Sequence, residues 1–160
     1  MSIEPSQAAL AAGALPRPQR SGVIQADPQK CLACRECEVA CSLSNEGQCN
    51  PELSRIRIDA NDYVVGWPNM RVCKQCDFPA CYFACLARWG DTPEGAAIAI
   101  DERTGARYVD ESKCRGCGAC ARACPLTPER PVIHSKKVGK KPIHLKCDLC
   151  KDRPEGPVCV

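Results

Sequence analysis

Fifteen of the sixteen cysteines in this 160-residue sequence fall into four tight groups, a pattern suited to gripping metal. The groups are Cys31, Cys34, Cys37 and Cys41; Cys73, Cys76, Cys81 and Cys85; Cys114, Cys117, Cys120 and Cys124; and Cys147, Cys150 and Cys159. Their spacings read CxxCxxCxxxC, CxxCxxxxCxxxC, CxxCxxCxxxC, and CxxC followed by a cysteine after eight intervening residues. The first and third share one register, so the chain carries an internal repeat. Disulfide frameworks scatter their cysteines over different segments, whereas these are bunched. The opening MSIEPSQAALAAGALP has no basic n-region, includes Glu4 and lacks a twin-arginine pair, so no secretory signal is read there. A cytoplasmic, reducing compartment is therefore expected, where clustered thiols bind metal rather than each other.

The spacing narrows the metal. Three thiolates two residues apart on a curled loop can reach three corners of one iron–sulfur cube. A fourth, three residues later, sits where a helix begins and points elsewhere. In two-cluster bacterial ferredoxins that last cysteine precedes a proline and ligates the other cluster. CRGCGACARACP reproduces this through Cys124-Pro125. Gly116 and Gly118 suit the loop, since backbone without a side chain can approach sulfide and aim N–H groups at it. The alternative is structural zinc, which a single CxxC pair would favour. A zinc-rich structural or nucleic-acid-binding protein is accordingly the rival reading.

In this order the groups resemble the four-cluster ferredoxin-like subunits that wire molybdenum and tungsten oxidoreductases, hydrogenases and formate dehydrogenases. The resemblance covers nearly all of 26–160 and rests on CLACRECEVACSLSNEGQCNPELSRIRI, CKQCDFPACYFAC, GARYVDESKCRGCGACARACP and KCDLCKDRPEGPVCV. The SLSNEG…NP…SRIRI passage looks most like the iron–sulfur subunit of tungsten-dependent aldehyde oxidoreductase complexes. Subunits serving carbon monoxide dehydrogenases and hydrogenases are similar. The resemblance implies an α+β fold of tandem, nested bacterial ferredoxin-like two-cluster modules, with short helices and small antiparallel hairpins. It implies four [4Fe-4S] clusters with crossed ligands: Cys73, Cys76 and Cys81 with Cys124; Cys114, Cys117 and Cys120 with Cys85; Cys147, Cys150 and Cys159 with Cys41. Cys31, Cys34 and Cys37 would need a cysteine beyond Val160. The leading expectation is a sequence cut short there. The others are substitution by Cys49, or a three-iron or differently ligated cluster, which should be labile. Cys49 is itself expected to be a free thiol packed as a small hydrophobe. Where many relatives have proline, Leu86 follows Cys85 and Ser42 follows Cys41.

Positioning these thiols falls to a chain with little else to bury. It has two Phe, two Trp and three Tyr, against 11 Gly and 14 Pro. Clusters cross-linking distant segments would offset that poor hydrocarbon core, so apo protein should be largely unfolded. Crossed ligation divides 26–160 into an outer module, 26–70 with 140–160, and an inner module, 71–139. Arg55 to Ile58 alternates as a strand, Ile98–Asp101 and Ala106–Val109 make a hairpin, and Val132–His134 with Ile143–Leu145 make another across Gly139. Helical turns are expected near Cys37, Pro79, Gly118 and Asp148. Residues 1–25 form an N-terminal extension in which Ser6 could cap a short docking helix. The longest weakly apolar run, Ala8 to Leu15, falls far short of the roughly 20 residues a bilayer span needs.

The formal charge of +3 treats cysteines as neutral; with about −2 for each thiolate-ligated cube, the loaded chain would sit near about −5. Lys30, Arg35, Arg71, Lys74, Lys113, Arg115, Lys146 and Lys151 flank the loops and are expected to compensate cluster charge and help set potentials. The basic run from His134 to Lys141 reads as a solvated hairpin tip rather than a nucleic-acid patch, given so few aromatics. His134 and His144 are expected to be solvated or hydrogen-bonded strand residues, and Trp67, Tyr82, Phe83 and Trp89 to be packing. No carboxylate pair for acid–base chemistry and no phosphate, flavin, pterin or nicotinamide motif is visible, so the chain reads as an electron-transfer subunit, not an enzyme. Its expected partners are a large tungsten- or molybdenum-pterin catalytic subunit, a flavin or NAD subunit, and further copies of itself. A free-standing polyferredoxin is the nearer alternative.

Overall fold

The computed structural model describes residues 22–60, 68–89 and 93–160. Among these, three helices carry or are capped by the cysteines that end the first three groups. They are α1 (Glu36–Glu46), α2 (Ala80–Trp89) and α3 (Ala119–Ala123). Cys37 and Cys41, and likewise Cys81 and Cys85, are four residues apart on one helix face. Such a pair is offset by about 6 Å along the axis, far enough to serve two different centres. Cys124 takes the same offset from Cys120 as the C-cap of α3. Gly47 ends α1 at φ 69°, its N–H donating to the Leu43 carbonyl at 3.0 Å.

Among the described residues the strands are six and short, paired as three antiparallel hairpins. β1 (Arg57–Asp59) pairs with β2 (Asn69–Arg71), β3 (Ile98–Ile100) with β4 (Arg107–Val109), and β5 (His134–Val138) with β6 (Lys141–Leu145). The α+β class and its hairpins are as expected. Details differ for physical reasons. Arg55 precedes β1 because its backbone N–H goes to the Cys41 sulfur instead of a ladder. Val132 and Ile133 are buried ahead of β5, and the basic run forms the strand itself, with Lys136 opposite Ile143. No helix starts at Asp148; Leu149 and Cys150 adopt φ 59° and 49°, which breaks any helical path and leaves turns. The positions expected to bound the modules, 70/71 and 139/140, both fall within hairpins. The expected docking helix and Trp67 lie outside the described residues.

The interior is partly sulfur. Ile56, Val72, Ile98 and Val132 are buried in one cluster with Cys41, Cys73, Cys81, Cys85, Cys114, Cys120 and Cys147. Polar cross-ties supplement this core. Arg55 meets Asp148 at 2.5 Å, Glu111 at 3.6 Å and Glu46 at 3.9 Å, while Lys136 meets Glu46 at 2.6 Å and Glu111 at 2.8 Å. These charges join α1, the segment before β1, the loop after β4, strand β5 and the last cysteine loop. Among the described residues no helix is long and apolar enough to cross a membrane.

Candidate metal centres

All four CxxC loops turn in the same way. The residue before each second cysteine is left-handed: Ala33 at φ 55°, Gln75 at 49°, Gly116 at 69° and Leu149 at 59°. In the two repeated groups the residue after that cysteine is left-handed too, Arg35 at 61° and Gly118 at 72°. Such turns point successive N–H groups into one concavity, where they meet negative charge. For a side chain other than glycine this costs about 1–2 kcal/mol, so the surroundings must hold it. At Gln75 they do. Its fully buried amide donates to the Cys147 carbonyl at 2.7 Å and accepts the Arg107 N–H at 2.7 Å.

Sulfurs collect further donors, some local and some from distant segments. Backbone N–H groups of Arg55, Gln75, Ala97 and His144 point at Cys41 (3.4 Å), Cys73 (3.4 Å), Cys85 (3.3 Å) and Cys114 (3.5 Å). Trp89 Nε1–H donates to Cys117 at 3.3 Å and Asn45 Nδ2 to Cys41 at 3.6 Å. Arg115 lies 4.4 Å from the Trp89 ring centre.

The groups interleave. Burial pushes the Cys81 thiol up, and Cys73, Cys124 and Cys76 crowd it further while Lys146 opposes them. Cys120 is pushed up to about 12 by burial first, then by Cys81, Cys114 and Cys85. Cys159 reaches about 11 through burial, then Cys41, Cys150 and Cys37. Burial also raises Cys147, with Cys73 and Cys159 among its neighbours, and Cys37, beside Glu38, Cys31 and Cys34. At Cys117 burial is outweighed by the Ala119 N–H, Trp89, Arg88 and Arg122, so this thiol titrates below its ordinary range. Electrostatic neighbours thus link Cys37 with Cys31 and Cys34, Cys159 with Cys37, Cys41 and Cys150, Cys147 with Cys73 and Cys159, Cys81 with Cys73, Cys76 and Cys124, and Cys120 with Cys81, Cys85 and Cys114.

This donor set fits iron–sulfur cubes. Thiols crowded in a low-dielectric interior resist ionising together, and a cationic iron core reverses that logic. Among the described residues, no three Cys, His, Asp or Glu side chains converge tightly enough to hold one metal ion. A cube spreads its donors over four irons, one thiolate to each. Both ring nitrogens of His144 are buried with no protein partner, and the ring lines the same cavity as Cys85, Cys114, Cys117 and Cys120.

Several residues depart from their expected settings. Cys49 is exposed rather than packed, because it follows the left-handed turn at Gly47 toward solvent. His134 and His144 are half-buried strand residues, yet His134 Nε2 and both His144 ring nitrogens are buried without a protein partner. Lys136 is drawn into the ion network instead of a solvated tip. Trp89 packs as expected but also binds a sulfur. Among the flanking cations, Lys146 is 2% exposed, whereas Lys30 makes only a loose 3.9 Å pair with Asp27. Leu32 and Phe78, each inside a cysteine group, are strongly exposed.

Residues 107–126, spanning β4, the third cysteine group and α3, match the 4Fe-4S binding domain family. The chain is 42% identical over 130 residues to the polyferredoxin-like subunit of an aliphatic sulfonate oxidoreductase from Pyrococcus furiosus; the match covers 80% of this chain and 65% of that relative. It is 35% identical over 144 residues to the putative electron transport protein YsaA of Escherichia coli, covering 86% of this chain and 81% of YsaA. Over 154 residues it is 35% identical to the E. coli electron transport protein HydN, covering 86% and 80%. This chain belongs to the ferredoxin-like iron–sulfur electron-transfer subunits.

Proposed function

We propose that this chain passes single electrons along a row of four [4Fe-4S] clusters, between a tungsten- or molybdenum-pterin oxidoreductase subunit and an acceptor. The succession of sulfur groups carries this reading: each has neighbours in the next, from Cys37 with Cys159, through Cys147 with Cys73, to Cys81 with Cys120. Such a cube takes up and returns one electron without bond making to substrate. Cys73, Cys76, Cys81 and Cys124 hold one; Cys85, Cys114, Cys117 and Cys120 the next; Cys41, Cys147, Cys150 and Cys159 a third. Cys31, Cys34 and Cys37 hold the fourth, whose last ligand is left unassigned. These sets make 71–139 an inner module nested in 26–70 with 140–160, stitched through the hairpins at both boundaries.

The protein's own contribution is positional. Left-handed loops and N–H donors neutralise sulfur charge, and burial excludes water from the inner groups. Substrate chemistry belongs to the partner. That the Pyrococcus relative is named as an oxidoreductase subunit favours a fixed partner over a free-standing carrier. A flavin or NAD subunit, or another copy of the chain, would serve as acceptor.

The test is analytical. Anaerobically purified protein should contain iron and acid-labile sulfide in equal amounts, and Cys124→Ser and Cys117→Ser should each remove the signal of a different cluster. Stoichiometric zinc without sulfide would end the proposal, and both substitutions erasing one common signal would overturn the ligand sets. Co-purification with a metallo-pterin subunit at fixed ratio would separate the subunit from the mobile carrier.

A further inference from the structure

Strand β6 belongs to the segment that carries the last cysteine group, yet one of its faces lies on the loop of the third group. Ile143 and Leu145 point into the hydrocarbon core, 7% and 1% exposed. The alternate residues Pro142 and His144, with Lys146 just beyond the strand, take the other side. Pro142 covers Gly116 so closely that a Cβ there would lie 2.2 Å from its carbonyl oxygen. His144 gives its backbone N–H to Cys114, and its Nε2 lies 3.7 Å from where a Cβ on Gly118 would stand.

The two polar side chains on this face are unusual for buried groups. A buried imidazole normally has at least one nitrogen paired, and leaving a polar atom unsatisfied costs about 1–3 kcal/mol. Both His144 nitrogens lack a protein partner, and the ring shares its cavity with Cys85, Cys114, Cys117 and Cys120. Lys146 is 2% exposed, and the ion pairs among the described residues engage Lys30, Arg55, Arg71, Lys113, Lys136, Lys151 and Arg153 but not Lys146. Its charge is felt at Cys81 and Cys124. Buried charges are kept only against an opposite charge.

We infer that this face of β6 sets the reduction potentials of the two inner clusters: His144 by donating an imidazole N–H to sulfur of the cluster at Cys85, Cys114, Cys117 and Cys120, and Lys146 by standing as the counter-charge of the cluster at Cys73, Cys76, Cys81 and Cys124. Both groups favour the state with one more electron, so both raise the potential of the centre they face. The inference rests on the ligand sets proposed above. It assigns His144 a tuning role that its sequence position does not announce, and it ties the general expectation for the loop-flanking cations to one residue, Lys146, and one centre.

The experiment is an anaerobic redox titration of the loaded full-length protein, followed by electron paramagnetic resonance and iron analysis. The variants are His144→Leu, His144→Gln, Lys146→Met and Lys146→Arg, with Cys117→Ser and Cys124→Ser to mark which signal belongs to which cluster. His144→Leu should make reduction of the cluster marked by Cys117→Ser at least tenfold less favourable, about 59 mV for one electron. His144→Gln, which keeps an N–H, should restore part of it, and an exchangeable-deuteron coupling present in the parent should vanish in the leucine variant alone. Lys146→Met should lower the cluster marked by Cys124→Ser to a similar degree, and Lys146→Arg should not. Should Lys146→Met fail to load that cluster while Lys146→Arg loads it, the same charge dependence is read in assembly. Fully loaded leucine and methionine variants with unmoved midpoints would overturn the inference, as would arginine shifting the midpoint as far as methionine. A lowered midpoint on a cluster other than the marked one would instead overturn the ligand sets, which distinguishes the two failures.

Discussion

Arg55 is the residue whose loss should travel furthest through the fold. Its guanidinium touches Asp148, Glu111 and Glu46, and its own N–H binds the Cys41 sulfur. Burial opposes that charge, but the three carboxylates outweigh it and hold Arg55 above the ordinary arginine range. Arg55→Met would leave the Asp148 carboxylate, 7% exposed, without its cation, while Lys136 still serves Glu46 and Glu111. Stranding a buried partner costs about 3–5 kcal/mol. Because the Arg55 and Glu111 side chains keep 16% and 33% of their exposure, the lower part of that range, about 3 kcal/mol, is expected. For a chain of this length that corresponds to roughly 6–12 °C in the melting transition. Asp148 also accepts the Cys150 N–H at 3.0 Å, so the damage should appear first at the last cysteine loop. The assay is thermal loss of visible cluster absorbance beside far-ultraviolet circular dichroism, with Arg55→Met, Asp148→Asn and the double variant. The double variant should recover a large part of the loss, because asparagine keeps an acceptor for Cys150 and carries no stranded charge. Destabilisation under about 0.5 kcal/mol in Arg55→Met, or strict additivity in the cycle, would refute the reasoning.

Gly116→Ala should cost about 2–4 kcal/mol, combining left-handed strain with a collision against the Pro142 carbonyl, whereas Gly139→Ala, left-handed with open space around it, should cost only about 1–2 kcal/mol; comparative melting checks both. His134 is held down to about 4 by burial, then by Arg57 and Arg71, against an ordinary 6.5. The unfolded chain therefore takes up this proton first, so stability should fall as pH drops from about 6.5 toward about 4, and His134→Gln should flatten that slope in denaturant titrations. Cys49→Ser should leave iron content unchanged, since Cys49 is exposed and stands apart from the sulfur groups; a lost cluster would make it a ligand. Stripping iron with a chelator under reducing conditions should abolish most helical circular dichroism, and apo protein retaining its native spectrum would contradict the cluster-held core.

The cysteine register made the chemistry legible before any coordinates. Helices at Cys37, Pro79 and Gly118 and the hairpin through Thr104-Gly105 could be placed because glycine, proline and alternation are local signals. The common left-handed turn was visible in only one loop. Glycine announces it at position 116, but Ala33, Gln75 and Leu149 adopt it under tertiary constraint, as the amide of Gln75 locked between Cys147 and Arg107 illustrates. The ion network was hidden for a similar reason. Glu46, Arg55, Glu111, Lys136 and Asp148 are far apart along the chain, and ordinary surface charges would have the same sequence signature. Trp89 and His144 announced aromatic packing and strand alternation; their approach to Cys117 and Cys114 comes from the way α2 and β6 close over the third cysteine group.

Interleaving also explains how a chain so poor in aromatics places its cysteines at all. On the proposed ligand sets, a helix that spans one turn between two cysteines hands each to a different centre and so ties two neighbouring centres together. Loop N–H donors then arrive from elsewhere: Arg55 to Cys41, Ala97 to Cys85, His144 to Cys114. The surroundings of Cys41, Cys85 and Cys114 are thus assembled from segments remote in sequence. The hairpins β1–β2 and β5–β6 straddle the two proposed module boundaries, so they couple the inner and outer parts through backbone hydrogen bonds as well. Cluster binding and folding should on this ground be one cooperative event, and a substitution that empties one inner centre should loosen the centres on either side of it before it affects the loop at Cys31.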